Sequence, residues 1–251
     1  MRDPYLYPNT DVLKNKADIR DRKLLERMEG DLTVMRLAEL ASGCSINRFD
    51  FASLCQVHYH IFHDIYDWAG KPRIINITKS EPVLSGLSIE YSDCFDIAKD
   101  ARLILNDMNA FPWQNASFDS VVKNYSHYMA GLWKVHPFRE GNTRSIITFC
   151  NYFMMSKGYT IDINLYKDNA QYVRNALVAA SATFSDLGDK RKPKYLERLV
   201  ADSLKDGWKE LRDNSILEKL KNNQDKIKSQ RQNVSSESKK IQITRDDEKS
   251  R

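Results

Sequence analysis

The chain has few of the residues that staple or anchor a protein. Its four cysteines, Cys44, Cys55, Cys94 and Cys150, are scattered through 251 residues without a CxxC pair, which excludes a zinc ribbon and a dense disulfide framework. Reduced, mostly buried thiols are expected instead. No apolar run approaches transmembrane length. Met1-Arg2-Asp3-Pro4 leads into a polar, tyrosine-bearing stretch, so no signal peptide is read there. A cytoplasmic protein is expected, with secretion by a route that uses no N-terminal signal left open. Net charge is also small. Lysine and arginine number 39 against 34 acidic residues, and the resulting +5 does not imply nucleic-acid binding. No internal repeat is present.

What the chain does have is helical periodicity. Leu24, Leu25, Met28, Leu32, Met35, Leu37 and Leu40 predict an amphipathic helix from Asp21 to Ala41. Phe51, Leu54, Val57, Ile61, Ile65 and Trp68 predict a second that ends at Ala69-Gly70-Lys71-Pro72, and the two should pack together. The β-branched run Arg73-Ile74-Ile75-Asn76-Ile77-Thr78, followed by turn-rich residues up to Ile89, reads as a small hairpin. Helical spacing returns from Asp93 to Met108, and Ser117-Phe118-Asp119 caps a helix reaching Trp133. A largely apolar helix from Thr143 to Met155 belongs in the centre. Further helices are predicted from Lys167 to Phe184 and from Pro193 to Leu220. Beyond Leu220 the residues are too polar to fold alone. The organisation expected is a mainly helical domain over 1–200, then a C-terminal helix and charged tail over 201–251.

Between two of these helices lies Val135-His136-Pro137-Phe138-Arg139-Glu140-Gly141-Asn142-Thr143-Arg144. Gly141 and Asn142 open a helix whose free N–H groups and dipole favour an anion such as phosphate. Arg144 can donate a fork of hydrogen bonds to phosphate oxygens. Glu140 offers hard oxygen to Mg²⁺, and a neutral His136 can accept a proton from an attacking hydroxyl. Singly, each has an ordinary alternative: a turn histidine, an i,i+4 ion pair, a helix cap. Together they supply the base, metal ligand and anion-binding helix start that nucleotidyl transfer requires.

The string HPFREGNTR resembles the active-site loop of the Fic family, H-P-F-x-D/E-G-N-x-R-x-x-R. Asp11-Val12-Leu13-Lys14-Asn15-Lys16 and the stretch from Ile61 to Arg73 extend the resemblance over about Tyr5 to Leu199. It implies an all-α Fic fold with a small β-hairpin flap that holds a target protein segment by strand pairing, and a protein adenylyltransferase that moves AMP from ATP to a hydroxyl side chain. It makes His136 the general base, gives Glu140 the Mg²⁺ and packs Phe138 into the core. Gly141, Asn142, Thr143 and Arg144 would hold the phosphates, with Ile77 and Thr78 of the flap beside the nucleotide.

Two positions depart from the pattern. Thr143 replaces a frequent glycine, and Ile147 stands where the second arginine, which orients the terminal phosphate, is expected. The family's inhibitory string S/T-x-x-x-E-G/N is absent: Glu29-Gly30 is preceded four back by Leu25. Inhibition of that internal type is therefore not expected, and control by a separate partner stays open. The alternatives are an inactive Fic-fold binding module and a transferase of another phosphate-containing group. A metal cluster at His58, His60 and His63 is disfavoured, because His58 is at neither i,i+3 nor i,i+4 from the others. Solvated or packed histidines are expected.

Overall fold

The computed structural model describes residues 3–43 and 46–205, which are mainly helical. Helices α1 (Arg22–Gly43) and α2 (Phe51–Phe62) pack on each other as their periodicities predict. Asp50 caps α2 by accepting the Ser53 N–H. The helix stops at Phe62, short of Trp68, because the amides of Ile65 and Tyr66 both fold back on the Phe62 carbonyl. Ile65, Tyr66 and Ala69 are buried nonetheless. Their apolar spacing marked burial and not helix.

Helix α3 (Ile97–Ala110) starts later than expected. Asp93 accepts the Phe95 N–H at 2.9 Å and so holds a turn ahead of it. Helix α4 (Phe118–Val135) begins where Ser117 accepts the Ser120 N–H. Helix α5 (Asn142–Ser156) lies in the centre: Ile146, Phe149, Cys150 and Phe153 are fully buried, and α2 and α4 pack on it. The single helix predicted over 167–184 is broken into α6 (Ile163–Asp168) and α7 (Ala170–Ser181). Asn169 turns its amide back onto the Leu165 carbonyl at 2.9 Å. A helical stretch follows over 194–205. The rest of the helix predicted to Leu220, and the charged tail, lie outside the described residues. Of the thiols, Cys150 is buried, Cys55 and Cys94 are half-buried, and all three are free; Cys44 is outside the described residues.

A small antiparallel hairpin is present, but at β1 (Thr183–Phe184) and β2 (Gly188–Asp189), not at Ile74 to Ile89. Segment 74–91, the flap, is extended without a ladder and turns through Pro82–Leu84. Side chains take the backbone groups that a ladder would use. The Arg73 guanidinium binds the carbonyls of Ile75 (2.7 Å) and Ser92, and Ser88 Oγ accepts the Lys79 N–H at 3.1 Å. The N-terminal residues brace this region, with Tyr5 Oη accepting the Ile74 N–H at 3.1 Å. Among the described residues no helix is long and apolar enough to cross a membrane.

Candidate active site

His136 ends α4 in the left-handed region, φ 49° and ψ 59°, which a non-glycine residue adopts only when its surroundings impose it. Those surroundings are identifiable. Arg73, itself buried, donates from Nε to the His136 carbonyl at 2.9 Å, and its own N–H goes to the Pro137 carbonyl at 2.8 Å. The imidazole Nδ1 lies 3.2 Å from the Trp133 carbonyl. Since a carbonyl only accepts, Nδ1 carries the proton and Nε2 keeps its lone pair. Nε2 is buried and makes no hydrogen bond among the described residues. Burial, followed by the nearby Lys79 charge, holds the His136 pKa well below the usual histidine range. The ring is neutral with a free acceptor, as proton removal requires.

The loop after His136 is fixed by four separate contacts. Asn142 accepts the Phe138 N–H at 2.9 Å and donates to the Phe138 carbonyl at 2.7 Å, closing the loop with its own side chain. Phe138 is fully buried, as expected, and stacks on His58 with ring centroids 3.8 Å apart. His58 accepts the Gly70 N–H at Nδ1 (2.8 Å), so Nε2 donates to the Glu140 carbonyl (3.0 Å). Burial lowers its pKa to about 4. His58 is thus a packed histidine that supports the loop, and among the described residues no group of three or more potential ligands forms a metal site. Gly141 has φ +81°, and a Cβ there would come within 2.4 Å of the Phe62 ring; only glycine fits.

The amides of Asn142, Thr143 and Arg144 precede the first intrahelical bond of α5, Ser145 N–H to the Gly141 carbonyl, and no side chain caps this end. The fifteen-residue helix thus begins with three N–H groups left unpaired among the described residues, an arrangement that favours anions. The side chains of the loop are already engaged. Asn142 is used on Phe138, and Thr143 Oγ1 accepts the Trp133 indole N–H at 2.9 Å, so these two residues offer an anion their backbone N–H groups. Arg144 lies over the Phe62 ring at 4.7 Å, donates to Thr33 Oγ1 at 3.2 Å and pairs with Glu29 of α1. Glu29 also accepts the Tyr66 hydroxyl. Ile147, one turn on, is half-buried.

Glu140 Oε1 accepts the Gly141 N–H at 3.1 Å, and Oε2 lies 3.2 Å from Lys79 Nζ of the flap. Burial opposes its charge; the Lys79 ammonium and the Gly141 N–H outweigh that and bring the carboxyl down to about 2. Ile77 and Thr78 line an open cleft of about 750 Å³ with Lys79 and Arg139. A second cleft of about 380 Å³, lined by Glu29, Tyr66, Arg139 and Glu140 among others, runs along α1. The flap therefore reaches the loop through Lys79, which the sequence did not single out. His58 was detectable in principle, since it shares the apolar helical face of Leu54 and Ile61. The Glu29 contact, 115 residues from Arg144, carried no sequence signal beyond the helix itself.

A helical domain thus brings a buried, neutral histidine, an ionised carboxylate and an uncapped helix start together on one loop, groups suited to a phosphate-bearing substrate. Comparison with known proteins points the same way. The model of the Fic/DOC family matches residues 48–154. The chain is 31% identical over 166 residues to the probable protein adenylyltransferase y4lH of Sinorhizobium fredii, covering 64% of this chain and 80% of that protein. It is 33% identical over 164 residues to the protein adenylyltransferase VbhT of Bartonella schoenbuchensis, where the match spans only 32% of the relative's length. Among solved structures, BepC of Bartonella tribocorum with bound AMPPNP superposes with a TM-score of 0.65 at 21% identity, over 79% of this chain and 95% of that one. The protein belongs to the Fic/DOC family.

Proposed function

We propose that the protein is a protein adenylyltransferase, moving AMP from ATP to a hydroxyl side chain of a target protein. The observation that carries this reading is the His136 imidazole: neutral, with Nδ1 on the Trp133 carbonyl and Nε2 unbonded, four residues ahead of Glu140 and six ahead of the uncapped start of α5. Two curated relatives named as certain or probable protein adenylyltransferases support it.

In this reading the ATP phosphates rest on the amides of Asn142, Thr143 and Arg144, where the helix dipole favours anions. His136 Nε2 takes the proton of the target hydroxyl. The oxygen bonds to the α-phosphorus as the bond to the β-phosphate oxygen breaks, and pyrophosphate leaves. Glu140 fits a cation-binding role, since its carboxylate is ionised and already faces the Lys79 ammonium. With a single carboxylate in place, Mg²⁺ would be held by Glu140 and the phosphates together and would neutralise phosphate charge. The target segment lies along the flap, whose exposed extended backbone can offer pairing groups, and Ile77 and Thr78 stand beside the nucleotide. Arg144 contacts phosphate with the N–H groups that Glu29 and Thr33 leave free.

The test is ATP labelled at either the α- or the γ-phosphate, incubated with the protein, Mg²⁺ and a cell extract. AMP transfer leaves α label on protein and no γ label. Protein-bound γ label would mean transfer of a phosphate instead, and no label from either would mean a binding module.

A further inference from the structure

The nitrogen that takes the proton is buried, and the side chain lying on its ring is Tyr91. The two ring centroids are 4.1 Å apart at 30°, so Tyr91, half-buried at the end of the flap, covers one face of the imidazole. It is held from behind. The Tyr91 hydroxyl points at Glu81 Oε1, 3.4 Å away. Glu81 is only 2% exposed and is bound by Arg174 of α7 at 2.8 and 3.0 Å to its two oxygens. The two bonds from Arg174 fix the Glu81 carboxylate, which stands within reach of the Tyr91 hydroxyl.

The imidazole is then confined on three sides. Trp133 supplies the carbonyl on Nδ1 and packs its indole against the ring at 5.2 Å and 88°, while Tyr91 covers a face. Rotation of the ring that would break the Nδ1 contact runs into one aromatic or the other. We infer that Tyr91, pinned by the Glu81–Arg174 pair, is a positioning residue that aims His136 Nε2 and shields it from water. This rests on His136 being the base. It gives the flap, beyond any part in holding a target, a second task on the catalytic side chain.

Carbethoxylation of His136 by diethyl pyrocarbonate, read by peptide mass spectrometry on the full chain, measures shielding without any reaction. Label transfer from α-labelled ATP to extract proteins, with ATP affinity measured alongside, reads aim. In the wild type His136 should react several-fold more slowly than His60. Tyr91→Leu and Arg174→Ala should each raise its reactivity several-fold and cut transfer about tenfold or more, with ATP affinity unchanged. Tyr91→Phe, which keeps the ring but loses the hydroxyl that Glu81 holds, should shift both readouts in the direction of Arg174→Ala, while Arg174→Lys should stay within about threefold of wild type because the charge remains; both also keep the test valid should the larger changes unfold the chain. His136 reacting as fast as His60 in the wild type overturns the inference. So does unaltered or faster transfer in Tyr91→Leu, or a loss of transfer that merely follows a loss of ATP binding. If His136→Ala transfers normally, the base reading fails instead; if His136→Ala is inactive and Tyr91→Leu is not, only the inference on Tyr91 fails.

Discussion

The loop 136–144 and the flap 74–91 face each other across the site, yet they are held by different kinds of contact. The loop is tied through its backbone. The carbonyls of His136, Phe138 and Glu140 and the amide of Phe138 are each bound by a buried or largely buried side chain, from Arg73, Asn142 or His58. The flap's backbone bonds to itself mostly at its turn, as in Glu81 N–H to Leu87 and Gly86 N–H to Glu81, and fully buried side chains grip it less, with Tyr5 and Ser88 taking single amides. Elsewhere it is secured by side-chain pairs: Lys79 with Glu140, and Glu81 with Arg174. The loop behaves as part of the core and the flap as a latched strap. That division suits an enzyme whose chemistry needs fixed groups on one side and an adaptable protein target on the other.

The sharpest way to break the comparison is Asn142→Ala. It leaves the Phe138 N–H and carbonyl without their buried partner, and should cost about 2–4 kcal/mol; thermal unfolding measures it. A loss below about 1 kcal/mol would mean that the loop is no firmer than the flap.

Acid should loosen the loop before neutral pH does. His58 has a folded pKa of about 4 against an ordinary 6.5, so the unfolded chain binds its proton first. Stability then falls as pH drops below 6.5, by about 3 kcal/mol once pH reaches 4 and below. Glu140, also depressed, acts in the same direction lower down, losing its contribution as pH falls from 4.5 toward 2. Imidazole chemical shifts followed by NMR should show His58 neutral to well below pH 5.5, and a midpoint near 6.5 would contradict the packing described.

A smaller effect is expected at Ile147. It is half-buried, so an arginine there can extend toward the start of α5. Ile147→Arg should tighten ATP binding by a few-fold through a charge-assisted contact, with little change in melting temperature. Weaker ATP binding in a stable variant would show that this position does not face the phosphates. Smallest of all is Ser88→Ala in the flap, which removes two part-buried bonds of its hydroxyl, from the Lys79 N–H and to the Ile89 carbonyl, and should change stability by about 1 kcal/mol.

The same division explains what could be read from the sequence. The loop's motif, the Ser117 cap of α4 and the apolar face of α5 are local signals, and each appears in the structure where expected. The β-branched residues of the flap predict strand, whereas in the structure Arg73 and Ser88 take backbone groups that a ladder would need. Propensity does not report which side chain will compete for a carbonyl. The motif marked Arg144 as a phosphate ligand but could not show that Glu29 of α1 already holds it. Nor could it show that Tyr91 lies on His136. These are pairings between distant segments, which exist only once the helices have packed.

The most direct test of the account is His136→Ala, with ATP affinity measured by calorimetry and AMP transfer measured from α-labelled ATP on the same preparation. Loss of proton abstraction alone predicts that transfer falls by roughly 10²-fold or more while ATP affinity stays within about threefold, since the proposed phosphate contacts are backbone amides of α5 and not His136. Transfer at the wild-type rate would contradict the assignment of His136 as the base, and with it the reading of the loop as the catalytic centre.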